Sequence, residues 1–142
     1  MNSIGELISQ IEQGDRKSIA KAITLVESKR SEDRELTENL LSSLPSPSED
    51  TLRIGISGPP GVGKSTFIEA IGQKIIEEKK RLAILAVDPS SSITGGSILG
   101  DKTRMDELSK SDETCIRPSP SSGHLRGVGH ATKASVKLVE AA

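Results

Sequence analysis

Gly58-Pro59-Pro60-Gly61-Val62-Gly63-Lys64-Ser65 is the stretch of this chain best suited to chemistry. Gly58 and Gly63 bracket four residues and are followed by Lys and Ser, the spacing of a phosphate-binding loop. Glycines let the backbone wrap closely around a phosphate with several N–H groups turned inward. A helix starting at the loop's end adds the positive end of its dipole. Lys64 supplies a point charge for β- and γ-phosphates, and the Ser65 hydroxyl suits Mg²⁺. Thr66 completes the set of candidate binding residues, Gly58 to Thr66.

Two further carboxylates bear on the same chemistry. Asp88 follows the apolar run Leu82-Ala83-Ile84-Leu85-Ala86-Val87, and ligands of open α/β sheets sit outside the carboxyl ends of strands. From there Asp88 can meet Mg²⁺ or a water near the γ-phosphate, or serve simply as an Asp-Pro turn residue. Asp101 closes a glycine- and hydroxyl-rich stretch, Ser90 to Gly100, whose composition suits a segment that changes with the γ-phosphate. Asp101 reads equally as a second metal- or water-positioning group and as a helix N-cap.

These residues need a scaffold. The predicted order is strand (Leu52–Ser57), glycine loop, helix (Thr66–Lys80), then the apolar run as a strand buried on both faces. Phe67, Ile71, Ile75 and Ile76 mark the predicted inner face of that helix. Two parallel strands joined by a crossover helix give a right-handed βαβ unit. A short helix within Asp101–Lys110, a third strand over Glu113–Arg117 and a last helix from about Leu125 follow. Ahead of these, residues 1–44 read as a helical segment, with a break at Gly14-Asp15 and a third helix from Ser31 or Glu32. Residues 45–50, rich in Pro and Ser, read as a linker, and residues 51–142 as the nucleotide domain.

Bulk properties narrow the function classes. Nineteen basic and twenty acidic residues leave a net charge of −1, which argues against a general nucleic-acid or anionic-membrane binder. With one Phe and no Tyr or Trp, base stacking has almost no side chains to use. The single cysteine, Cys115, excludes an internal disulfide framework and fits a reducing, cytoplasmic compartment. Cys115, His124 and His130 lack the close spacing of a structural metal site and read as one buried thiol and two solvent-facing imidazoles.

The chain resembles the methylmalonyl-CoA mutase-associated GTPase chaperones, also known as arginine/ornithine transport-system ATPases. The likeness runs through Gly14-Asp15-Arg16 with Ala22 to Ser28, the phosphate loop, Val87-Asp88-Pro89-Ser90-Ser91 through Met105, and Arg117 to Gly123. The resemblance implies a P-loop GTPase of the signal-recognition-particle and metallochaperone class. It implies Lys64 on phosphate, Ser65 on Mg²⁺, and Asp88 with Asp101 in the catalytic and magnesium region. It also implies GTP/GDP as ligand, an adenosylcobalamin-dependent mutase as partner, a role in loading or protecting that cofactor, and a homodimer. Arg126-Gly127 and Gly129-His130 depart from the family pattern. The family's Glu-Thr-Val-Gly strand and its guanine-reading Asn-Lys-x-Asp loop are expected beyond Ala142, in a longer protein of which this is the N-terminal part. Two other readings remain: a different P-loop ATPase or small-molecule kinase, and a truncated docking module without catalysis.

Overall fold

A computed structural model describes residues 3–88, 105–120 and 129–142. By packing the chain forms two compact units. One comprises Met1–Thr51 with Val128–Ala142, the other Leu52–Gly127.

The first unit is helical. α1 (Ile4–Glu12) starts with a capping box: the Ser3 hydroxyl accepts from the Glu6 amide at 3.3 Å, and the Glu6 carboxylate accepts from the Ser3 amide at 3.2 Å. Together these satisfy two donors that a helix start otherwise leaves orphaned. Gly14, at φ +78°, takes the left-handed turn that ends α1. Asp15 then caps α2 (Arg16–Glu27) by accepting from the Ser18 amide at 2.8 Å. The Ser18 hydroxyl first, and then this amide bond, hold the Asp15 carboxyl below its usual range. α3 spans Ser31–Ser43, so the reading of three helices before the linker is met. Ile11, Ile23 and Leu40 are fully buried among these helices, each contributing about 1.5–3 kcal/mol by leaving water.

The second unit supports the loop. α4 (Lys64–Glu77) leads into β1 (Leu82–Asp88), α5 (Asp106–Ser109) and β2 (Thr114–Pro120). β1 and β2 pair in parallel, Leu82 opposite Thr114 through Asp88 opposite Pro120. Ile84, Met105 and Leu108 form the core, with Ile68, Ile76, Leu82 and Ile116 packed against it. α4 ends in a left-handed residue, Lys79 at φ +56°. The Lys79 amide donates to the Ile76 carbonyl at 2.8 Å and the Lys80 amide to that of Ile75 at 3.2 Å. This is the paired closure that uses up orphan carbonyls at a helix end.

Three expectations change. Leu52–Ser57 is not a strand: it joins no ladder with the described residues, and Leu52 and Ile54 are 82% and 65% exposed. Its alternation is that of a strand, but a strand also needs a hydrogen-bonded neighbour and a covered face. The buried face of α4 runs Ile68–Gly72–Ile76, so Ile76 lies inside as expected, while Phe67 is half exposed and the stripe Phe67–Ile71–Ile75 is not the packed one. The two stripes differ by one position, and the glycine, which admits the closest neighbour, decides between them. Of β1's two faces, expected to be equally buried, one is buried at Ile84, while on the other Leu85 is half-buried and Val87 is 41% exposed.

The final helix, α6 (His130–Ala141), belongs to the first unit. It packs chiefly on α2, and also on α1 and α3. Leu138 joins that core, fully buried, and Lys137 Nζ donates to the Leu41 carbonyl at 2.7 Å. Among the described residues, no helix is long and apolar enough to cross a membrane.

Candidate nucleotide-binding site

The loop is shaped by two left-handed glycines, Gly61 at φ +77° and Gly63 at φ +101°. Other residues adopt this conformation only at a cost. Gly63 is also the N-cap of α4, and no side chain caps the helix there. The first helical bond runs from the Phe67 amide to the Gly63 carbonyl at 3.0 Å. No acidic residue stands in the first turn. An uncapped helix start without negative charge is a favourable place for an anion.

Lys64 begins the helix and folds back over the loop. Its ammonium donates to the Gly58 carbonyl at 2.6 Å and to that of Pro59 at 2.9 Å. The side chain thus closes the loop into a ring and keeps its charge at the mouth. The partners of Lys64 are backbone carbonyls, which carry no signature in the sequence. Ser65 sits in the first turn of α4 beside Lys64. Val62 stands open at 62% exposure, with its methyl 3.2 Å from where a Cβ on Gly58 would be.

Gly72 matters behind the site. A Cβ there would meet the Leu108 Cδ atoms at 2.7 and 2.9 Å and Leu82 Cδ2 at 3.1 Å. It is the close contact that seats the loop-bearing helix on α5 and β1. A lone glycine within a helical apolar pattern was its available signal.

Asp88 is the last residue of β1, at the strand's carboxyl end, in register with Pro120. Asp101, His124 and the stretch Ser90–Arg104 lie outside the described residues. Cys115, in β2, is half-buried and in no disulfide, and His130 opens α6. Among the described residues, no three His, Cys, Asp or Glu gather to hold a metal ion by themselves.

A sequence profile of the family described as "Methylmalonyl Co-A mutase-associated GTPase MeaB" matches residues 19–142. The chain belongs to this family. Similar proteins include "GTPase ArgK" of Escherichia coli, 47% identical over 140 residues, covering 99% of this chain and 42% of that protein. A probable GTPase of Mycobacterium tuberculosis is 52% identical over 141 residues, with the same shares covered. "Methylmalonic aciduria type A homolog, mitochondrial" of Mus musculus is 46% identical over 147 residues, covering 96% of this chain and 35% of its own. Among solved structures, "LAO/AO transport system kinase" superposes with a TM-score of 0.77 at 34% identity, over 99% of this chain and 41% of that one. This MeaB-family chain therefore has the P-loop GTPase fold and spans less than half the length of the relatives it matches.

Proposed function

We propose that the protein carrying this chain binds and hydrolyses GTP and uses that cycle to assist an adenosylcobalamin-dependent mutase of the methylmalonyl-CoA type. The carrying observation is the loop: two left-handed glycines opening the uncapped start of α4, with the Lys64 ammonium held over them. Such a cradle binds phosphate through backbone N–H groups and one mobile charge. The family description adds the guanine nucleotide and the mutase.

In this reading Gly58 to Thr66 enclose the β- and γ-phosphates. Lys64 exchanges its carbonyl partners for phosphate oxygens. A Mg²⁺ ion fits the donor set, because Ser65 offers a hard hydroxyl oxygen in the first turn of α4 and Mg²⁺ is normally shared with substrate phosphates. Ser65, Asp88 and Asp101 are the residues proposed to hold it. When bound, the ion neutralises charge that develops on the phosphates. The protein's share is positioning and electrostatics, with Asp88 and Asp101 orienting water. A homodimer, a cytoplasmic location and protection of the cofactor complete the reading.

The test is a titration of the intact protein with a fluorescent GDP analogue, competed with GDP and ADP, followed by mutase capture with GTP or GDP present. GDP should displace the probe far better than ADP. Lys64→Ala should weaken binding about 10- to 100-fold, the value of a charged hydrogen bond. Equal competition by ADP would point to another P-loop enzyme. Mutase capture indifferent to nucleotide would remove the switch, since a switch needs different affinities in its two states.

A further inference from the structure

The loop's three glycines serve different ends. Gly61 and Gly63 hold left-handed backbone, and a Cβ on either would meet nothing within 4 Å. Gly58 is the opposite case. Its φ is not positive, so its backbone conformation is open to other residues. What fills the place of its missing Cβ is Val62, whose Cγ1 methyl stands 3.2 Å from that position. Lys64 Cδ and Cγ follow at 3.7 and 3.8 Å.

Little else holds this end of the loop together. Pro59 and Pro60 have no N–H to donate. Among the described residues, no amide from Gly58 to Gly63 donates to a backbone carbonyl. The loop is closed instead by the Lys64 ammonium on the Gly58 and Pro59 carbonyls and by the methyl over Gly58. A side-chain contact of this kind shapes the loop without using an amide, and the amides are what a phosphate needs. Val62 itself is 62% exposed and belongs to neither hydrophobic core.

We propose that Val62 is a positioning residue for phosphate binding: its methyl, seated in the Cβ place of Gly58, holds the empty loop in the form that receives phosphate. Gly58 is required because Val62 needs the room. This rests on the nucleotide-binding reading above. The gain is preorganisation, since a loop already shaped need not order itself on binding. A loop shaped only part of the time binds in proportion to that fraction.

Stopped-flow binding of a fluorescent GDP analogue to the intact protein, with Mg²⁺ present, tests this. Val62→Ala removes the contacting methyl, an interaction worth about 4-fold. It should slow association by that factor and leave dissociation unchanged within about twofold. Val62→Ile keeps a methyl branch at the same place and should restore the rate. Gly58→Ala should weaken binding about 5-fold, the lower end for overpacking, because exposed Val62 has room to give way. In the Val62→Ala background that obstacle is gone, and Gly58→Ala should cost less than about twofold, the non-additivity of touching residues. Three results overturn the proposal while leaving nucleotide binding intact. One is association unchanged in Val62→Ala, or slowed and not restored in Val62→Ile. Another is a loss that falls on dissociation, which would make Val62 a ligand contact. The third is Gly58→Ala costing the same in both backgrounds, which would tie Gly58 to the phosphate and not to Val62. Failure of the unaltered protein to bind the analogue removes the underlying reading instead.

Discussion

Gly72→Ala is a sharp test of how the loop-bearing helix is seated. The methyl would sit 2.7 and 2.9 Å from the two Leu108 Cδ atoms and 3.1 Å from Leu82 Cδ2. Leu108 is fully buried, so it has no open space to swing into. Overpacking a core in this way costs about 1–3 kcal/mol. Against that, alanine gains about 1 kcal/mol over glycine inside a helix. With three contacts this tight the upper part of the packing range applies, leaving a net loss of about 1–2 kcal/mol. For a domain of this size each kcal/mol is worth roughly 4 °C in Tm. Thermal unfolding followed by far-ultraviolet circular dichroism should therefore show a drop of about 4–8 °C. A double variant decides the cause. If Leu108 is the obstacle, Leu108→Ala alone destabilises, and adding Gly72→Ala to it costs nothing further, the non-additivity expected of touching residues. An unchanged or raised Tm for Gly72→Ala would refute the argument, because helix propensity would then outweigh the contact.

Other outcomes follow from the same physics. Gly63→Ala meets no neighbour within 4 Å, so its cost is the left-handed backbone alone, about 1–2 kcal/mol. It should appear as weaker GDP affinity in a titration. Ser135→Ala should raise the urea midpoint by an amount equal to about 1 kcal/mol, since it removes a buried hydroxyl without a partner. Asp15 caps α2 most strongly as a carboxylate. Its folded pKa lies below the ordinary 3.8, so this charge-dependent stabilisation is full above that value and is lost as pH falls through the lowered one. Helix content measured by circular dichroism between pH 5 and pH 2 should lose this acid-dependent part in Asp15→Asn, with the neutral-pH helix little changed because Asn also caps well.

The parts of this molecule legible in the sequence are those set by local rules. The capping box at Ser3–Glu6, the Gly14-Asp15 break and the glycine loop each depend on residues within a few positions of one another. Strands at Leu82–Val87 and near Glu113–Arg117 were also readable as elements, but the parallel pair expected was Leu52–Ser57 with Leu82–Val87 and the pair observed is β1 with β2. Misreadings came where a distant neighbour decides. Alternation at Leu52, Ile54 and Ile56 specifies which face is apolar, not whether anything lies against it. Phe67 falls at helical spacing with Ile71 and Ile75, yet the face with Gly72 is the one that fits Leu108. The apolar and hydroxyl residues of the last helix showed a helix, but not that it would close the helical unit that begins the chain. At the site, types and spacing named the loop and Lys64, while the grip of Lys64 on the Gly58 and Pro59 carbonyls needed coordinates.

That closing helix has a consequence for biosynthesis. α1 to α3 emerge from the ribosome first, but Leu138, which completes their core, is made more than ninety residues after Leu44. At synthesis rates of about 5–20 residues per second this is a wait of roughly 5–20 s. Throughout it, Ile11, Ile19 and Ile23 have only part of their final cover. The newborn helices of this protein are therefore a natural client for ribosome-associated chaperones, and slow codons before α6 should lengthen that dependence.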